Sequence, residues 1–229
     1  MRLFTIIARR YELVNHVLTF GLDIAWRRRA AQKAARARAG RMLDVCTGTG
    51  ETAAYLARTG NARIVALDLN PAMLAVARAK PACRDVAFVQ GDAWRLPFPD
   101  RAFEVVSISF AARTLADGPE RLRALFREFH RVIAPGGTFV MVDTSQPRNP
   151  VIRLLFHLYA RAAIRPAGWL LAGSGGYAHL SRTMLRFPDA GTVAGILWES
   201  GFVSVAAEPM LFGAAAIHTA RVPETDAIV

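Results

Sequence analysis

Cysteine is scarce in this chain: Cys46 and Cys83 are the only two, they stand far apart, and no CxxC spacing occurs. Neither a zinc site nor a disulfide framework follows, so no metal is expected and the thiols read as reduced and packed. Long apolar runs are missing too. The longest stretch without charge, Pro166 to Ser181, is interrupted by proline and glycine and is too short to cross a bilayer. At the start, the uncharged run from Leu3 to Ala8 is too short for a secretory signal, which predicts a cytoplasmic protein. No internal repeat appears, and no low-complexity linker apart from the Ala/Arg-rich stretch near residues 27–41. What is present, 229 residues of which 53% are hydrophobic, excludes disorder as the main description and fits one large globular domain or one domain with an appended arm.

Acidic residues are few at the beginning of the chain. Residues 1–41 carry ten Arg and Lys against Glu12 and Asp23, a balance of +8, while the remainder has nineteen against sixteen, or +3. The basicity therefore belongs to the arm, where it suits an anionic membrane face, a nucleic-acid backbone or water.

Leu13, Val14, Val17 and Leu18 recur at helical spacing, and Asp23 is placed to cap a second helix through WRRRAAQKAARARAGR, so two basic helices should precede the main fold. From Arg41 the pattern changes to short β-prone runs separated by helical stretches, the mark of a parallel sheet with crossover helices. Strands are predicted at MLDVC, RIVALDL, VAFVQ, EVVSISF and GTFVMV, with helices around residues 51–59, 71–80 and 119–133. The last of these should end at Pro135-Gly136-Gly137 in a tight turn into the fifth strand. A segment of large apolar residues after Pro147 and Pro150 reads as an insertion, followed by one more helix and two strands that pair antiparallel at the sheet edge. The expected fold is α/β, a Rossmann-like sheet with N-terminal helices and a helical insertion after strand five. Its parts are a basic arm or lid at 1–40, a main domain at 41–222 with the insertion at about 150–187, and a loose tail at 223–229.

The first strand runs into Asp44-Val45-Cys46-Thr47-Gly48-Thr49-Gly50-Glu51. Gly48-x-Gly50-x-x-Ala53 satisfies the dinucleotide fingerprint, in which glycines let a ligand approach the backbone at a helix N-terminus. Asp44, Asp68 and Asp92 each stand in or just beyond one of the first three strands, so all three should gather at the sheet's carboxyl edge. A diphosphate would be repelled by Asp44, whereas a ligand carrying a sulfonium and an ammonium would be attracted. Asp68 can accept both hydroxyls of a ribose, and Asp92 the amino group of an adenine. Each acid also reads as a helix cap or turn former.

These residues, with ARRYELVNHVLTFGLDIAWRR, ALDLNPAMLAVAR, VQGDAWRLPFPDRAFEVVSISFAARTL, REFHRVIAPGGTFVMVD and GGYAHLSRTMLRFPD, resemble the class I S-adenosylmethionine-dependent methyltransferases. Within that class they are most similar to the C-methyltransferases of the demethylmenaquinone and ubiquinone pathways. The resemblance implies S-adenosylmethionine as cofactor, with contacts at Thr49, Asp68, Asp92-Ala93 and Ser109. It also implies a prenylated quinol as acceptor. The family's Arg-Asn pair after strand four is here Arg113-Thr114, its glutamate after strand five is Asp143, and its opening Tyr-Asp is Tyr11-Glu12. These differences bear on the acceptor rather than on the cofactor.

Methyl transfer from a sulfonium is an in-line displacement that needs contact and shielding from water, and no metal. A ring carbon becomes nucleophilic when an adjacent hydroxyl is reduced and partly deprotonated. Arg113 is the candidate for holding that anion, since a guanidinium is always protonated. Asp143, His179 and Tyr177, or a water held by one of them, are the candidates for the base. Tyr11 and Asn15, four apart, would share one helical face and close over the acceptor, or else pack on the core.

In the helix beginning near Val151, Arg153, His157 and Arg161 fall on one side and Val151, Leu154, Leu155, Leu158 and Ala162 on the other. That apolar face either covers the protein's own sheet or, with WLLAG, forms a channel for an isoprenoid tail. The arginines of the second N-terminal helix point in several directions, Arg27 and Arg38 opposite Arg29, Lys33 and Arg36, where an interfacial helix would separate its faces. Expected partners are the quinol, an anionic membrane surface touched peripherally, and a second copy of the chain as a homodimer, with no nucleic acid. The competing acceptors are a phospholipid amine, a phenolic metabolite or RNA. The glycine pattern also permits a nicotinamide-dependent oxidoreductase, and the altered Arg-Thr pair a non-catalytic binding module.

Overall fold

The computed structural model describes residues 11–37, 39–60, 62–164 and 182–224. Helices α1 (Tyr11–Leu18) and α2 (Leu22–Ala35) precede the sheet. Then follow β1 (Arg41–Val45), α3 (Glu51–Ala57), β2 (Arg63–Asp68), α4 (Pro71–Arg78), β3 (Val86–Gln90) and β4 (Phe103–Ser109). A short α5 (Ala112–Leu115), α6 (Pro119–Val132), β5 (Ile133–Thr144) and α7 (Pro150–Tyr159) come next, with α8 (Ala190–Glu199), β6 (Val203–Met210) and β7 (Ala215–Arg221) closing the described chain. The seven strands run in the order β3-β2-β1-β4-β5-β7-β6. β1 to β5 are parallel, and β7 lies antiparallel between β5 and β6. Strand order reverses between β1 and β4, the crevice where sheets of this kind bind ligands.

The five parallel strands and the antiparallel edge are those read from the sequence, with ends shifted by a residue or two. One boundary differs more. β5 begins at Ile133, which pairs with Phe103 before the register shifts to Val105 and Thr138. Pro135-Gly136-Gly137 therefore sits inside the strand as an irregularity. A Cβ on Gly137 would stand 2.5 Å from Ile133 Cγ2 and 2.8 Å from Glu104 O, so the neighbouring strand approaches where only glycine fits.

Local sequence explains the helix ends. Asn70 caps α4 by accepting from Ala72 N at 3.0 Å, with Pro71 behind it, and Asn149 caps α7 by accepting from Val151 N at 2.9 Å. Asp23 does not cap α2. Gly21 takes that position with φ 75°, and Asp23 lies within the first turn, where it accepts from Thr19 Oγ1 at 2.6 Å.

Each sheet face has its own core. On one, Leu122, Leu125, Phe126 and Phe129 of α6 meet Phe139 of β5 and Phe202. On the other, Ala30, Ala31 and Ala34 of α2 pack with Leu56, Met42, Val140 and Ile217. The second basic helix is thus built into the core. Arg29 and Lys33 reach Glu208 at 2.5 and 2.9 Å, and Arg28 lies over the Tyr55 ring, so these cations meet partners within the chain. By contrast, α7 has no buried residue: Val151, Leu154, Leu155 and Leu158 are 51–63% exposed. Its apolar face does not cover the sheet among the described residues. No described helix is long and apolar enough to cross a membrane.

Candidate active site

Two cavities adjoin at the carboxyl end of the sheet, sharing Arg27 and Phe110 as a common wall. The smaller, about 270 Å³, is lined by the glycine loop from Cys46 to Thr49, by Glu51, Asp68, Asn70 and Met73, and by Ser109 to Ala111 with Thr114. The larger, about 310 Å³, lies between α1, α2, α7 and the Leu211–Phe212 turn and is mostly apolar. Arg113 and Thr144 stand on its floor side.

The loop of the smaller cavity is held from below. Asp44, 1% exposed, accepts from Thr47 Oγ1 at 2.6 Å and Ser107 Oγ at 2.7 Å. Burial pushes its carboxyl up to about 6 against those two hydrogen bonds. Gly48 and Gly50 both have positive φ, and a Cβ on Gly50 would stand 2.9 Å from Ala77 Cβ, so α4 packs directly on the turn. Asp68, at the end of β2, accepts from Gly48 N at 2.8 Å through Oδ2 and from Asn70 N at 2.9 Å through Oδ1. Burial raises its pKa while these backbone bonds oppose the rise.

Asp44, Asp68 and Asp92 all act on Cys46. Burial first, then the fields of Asp68, Asp44 and Asp92, hold the Cys46 thiol well above its ordinary value. Their surroundings differ. Asp68 lines the cavity, Asp44 braces the loop beneath it, and Asp92 is exposed beyond the lining residues, accepting from Trp94 N at 3.0 Å. Ala93 belongs to the core at 3% exposure. Thr49 and Ser109 line the cavity as expected. Ser109 Oγ accepts from Thr52 Oγ1 at 3.0 Å, which in turn accepts from Arg27 Nη1 at 3.2 Å, leaving the serine proton free to donate.

At the larger cavity, Arg113 and Asp143 form a buried ion pair through Nη1 and Oδ1, and Asp143 Oδ2 also accepts from Arg113 N at 3.2 Å. Thr144 N donates to Asp143 Oδ1 at 2.8 Å. Asp143 is 1% exposed and lines neither cavity, so it orients the arginine; the base expected at that position has no access to a ligand. Arg113 Nε is buried without a hydrogen-bond partner. Asn15 lines the same cavity, and Tyr11 opens α1. Tyr177, His179 and the WLLAG run lie outside the described residues.

Several site residues escaped the sequence reading. Phe110 has φ 57° and lies between two guanidiniums, Arg27 Cζ at 4.8 Å and Arg113 Cζ at 5.7 Å from its ring centroid. His16 sits between two carboxylates: Nδ1 is 3.0 Å from Asp23 Oδ2, and Nε2 is 3.2 Å from Glu51 Oε1. Asp23 lines the larger cavity and Glu51 the smaller. The FGLDIAWR segment carried the signal for Asp23 and Arg27, but nothing local ties either to His16 or Glu51.

A ligand of the smaller cavity meets two carboxylates, Asp68 with backbone amides behind it and Glu51, and one cation, Arg27, already faced by acids. That donor set fits a positively charged group and disfavours a diphosphate. With the doubly wound sheet, it defines the class I methyltransferases. Human N-acetylserotonin methyltransferase, solved in complex with SAM, superposes with TM-score 0.64 at 17% identity over 96% of this chain and 59% of that one. The chain matches the ubiE/COQ5 methyltransferase family over residues 1–221 and belongs to it. It is an S-adenosylmethionine-dependent methyltransferase. Among relatives, the demethylmenaquinone methyltransferase of Thermus thermophilus is 39% identical over 96% of this chain and all of that one. The ubiquinone/menaquinone biosynthesis C-methyltransferase UbiE of Syntrophotalea carbinolica is 36% identical over 87% of this chain and 84% of its own length.

Proposed function

We propose that this chain methylates a ring carbon of a prenylated quinol, demethylmenaquinol or a benzoquinol of the ubiquinone pathway. The observation that carries the reading is the pair of adjoining cavities, one acid-lined and one apolar, with Arg113 on the wall of the second. Bound in the smaller cavity, S-adenosylmethionine supplies a methyl group activated by its sulfonium. Asp68 would accept from the ribose hydroxyls with the lone pairs its backbone partners leave free, Ser109 would donate, Arg27 would attract the cofactor's carboxylate, and Asp92 would accept from the adenine amino group.

On the acceptor side, Arg113 stabilises the quinolate through guanidinium hydrogens that Asp143 does not occupy, and the pairing with Asp143 fixes its plane. Asn15 lines the same cavity and gives the ring a polar contact. Phe20, Leu155, Phe156 and Phe212 surround the mouth with apolar side chains that exclude water and suit an isoprenoid tail.

The same side chains support a peripheral position on a membrane. Phe20 and Phe212 are 82% and 77% exposed, and the apolar face of α7 continues the patch, so the cavity opens where a lipid-dissolved substrate would arrive. This patch, rather than the arginines of α2, is the surface we assign to the bilayer.

The test is incubation of purified protein with methyl-labelled S-adenosylmethionine and reduced lipid extract from cells lacking quinone methylation. Label on a naphthoquinol or benzoquinol is expected and names the acceptor. Label on phospholipid, or on nothing, refutes the assignment.

A further inference from the structure

Replacing a ring hydrogen by methyl liberates one proton. The ring carbon gains its new carbon bond as the donor's carbon–sulfur bond breaks, and the ring C–H bond then breaks, its electron pair restoring the aromatic ring. The proton needs an acceptor. Among the described residues lining the larger cavity, the titratable groups are Asp23, Arg27, Arg113 and Tyr159. The arginines hold their protons. Tyr159 donates its hydroxyl to Leu18 O, and burial pushes that hydroxyl up. Asp143, the remaining acid nearby, is closed off behind Arg113.

We propose that Asp23 takes the proton released by the acceptor and hands it to His16, which shares it with Glu51. This rests on reading the larger cavity as the acceptor site. His16 lies between Asp23 and Glu51 with a ring nitrogen turned to each, at 3.0 and 3.2 Å. An imidazole can accept at one ring nitrogen and donate from the other, so a proton arriving from Asp23 at Nδ1 is balanced by release from Nε2 toward Glu51. Burial raises the Glu51 carboxyl, which favours that release. The exposures give the direction of travel: Asp23 is 2% exposed, Glu51 11% and His16 26%, so a proton entering at Asp23 reaches water through the imidazole.

The charges facing this set come from four elements. Arg27 Nε of α2 is 3.9 Å from Asp23 and 3.6 Å from Glu51 and makes no hydrogen bond of its own. Glu12 of α1, paired with Lys80, adds negative charge beside Glu51. Arg113 of α5 stands on the same cavity wall as Asp23, and Arg27 also offsets Asp44 at the end of β1. Arg27 sets a positive charge near both carboxylates, and the adjacent His16 gives a proton on Asp23 a path away.

The test compares wild type, Asp23→Asn and His16→Gln as full chains, with a short-chain hydroquinone carrying hydrogen or deuterium at the methylated carbon. Cofactor affinity is measured by calorimetry on each. Asp23→Asn is expected to keep cofactor affinity within about 3-fold and to lose turnover by about 100-fold or more. Its ring-deuterium effect should rise from near unity to a primary effect, since proton removal becomes limiting. His16→Gln should change the acidic limb of the rate profile, because Asp23 loses the partner to which it passes the proton. Wild-type turnover and an unchanged isotope effect in Asp23→Asn overturn the inference while leaving the acceptor reading intact. Should Asp23→Asn fail to bind cofactor, an unmoved acidic limb in His16→Gln overturns it. A wild type that methylates no hydroquinone overturns the acceptor reading, and this inference with it.

Discussion

Asp143 holds Arg113 twice, once through the backbone N–H at 3.2 Å and once through the guanidinium, in a pair whose side chains are 1% and 6% exposed. Strand β5 thereby fixes both the start of α5 and the side chain that it presents to the larger cavity. Removing one partner leaves a buried charge uncompensated, so Asp143→Ala should lose about 3–5 kcal/mol in urea unfolding. Replacing both residues with alanine should regain most of that loss, because no charge is then stranded, while turnover stays absent. Additive losses in the double variant would show the two side chains acting independently.

Asp68 divides cofactor binding from turnover. Asp68→Ala should abolish S-adenosylmethionine binding in calorimetry, whereas Arg113→Ala should leave it largely intact and remove methyl transfer. Equal loss of affinity in both variants would refute that division. Because burial raises the Asp68 pKa, wild-type affinity should fall as acid protonates it, beginning above the ordinary carboxylate range. A titration that shows constant affinity down to pH 4 would contradict the assignment.

Asp44 carries a linkage prediction of opposite sense to the usual acid. Its folded carboxyl titrates near 6 and its ordinary value is 3.8, so the native state binds more protons than the unfolded chain between those values. Stability from this group is therefore greatest below the unfolded pKa and is lost as pH rises through about 6, by about 3 kcal/mol in all. Asp44→Asn keeps an acceptor for Thr47 or Ser107 without the charge. It should flatten the denaturation midpoint between pH 4 and 7 relative to wild type, and an unchanged slope would count against burial as the cause.

How much of this was legible beforehand follows from the range over which each signal acts. The alternation of β-prone runs and helical stretches predicts five parallel strands, and parallel strands bring their carboxyl ends together, so Gly48 and Asp68 could be placed at one edge from spacing alone, whereas Ser109 came from the family resemblance. Side-chain partnership is a different matter. Asp44, Asp68 and Asp92 all stand near strand ends, but the register staggers them, Asp44 opposite Ala66 and Asp68 opposite Gln90, and only Asp68 faces the cavity, because Thr47 and Ser107 engage the first and the third lies past the rim. Arg113 was legible as a candidate, but its partner lies thirty residues on in the next strand. The His16 set joins three helices, and no periodicity in one helix reveals what another brings to it. Likewise the pattern of α7 defines an apolar face without stating what, if anything, lies against it.

That face yields the last prediction. Leu154 and Leu158 are 58% and 51% exposed, and neither is among the described residues lining the two adjoining cavities. A substitution there breaks no packing, so Leu154→Asp and Leu158→Asp should change folding stability by no more than about 0.5 kcal/mol. Both should leave methylation of a short-chain, water-soluble hydroquinone at the wild-type rate. On vesicles the outcome differs, since a carboxylate placed where an apolar side chain enters the bilayer opposes insertion and is repelled by anionic headgroups. Cosedimentation with vesicles of mixed zwitterionic and anionic lipid should fall several-fold in each variant and further in the pair, and methylation of a long-tailed quinol dissolved in those vesicles should fall with it. Removing Arg29 and Lys33, which are engaged by Glu208, should alter cosedimentation far less. The reverse ranking, with the two cations decisive and the two leucines silent, would return the membrane contact to α2 and leave the apolar face of α7 to another partner.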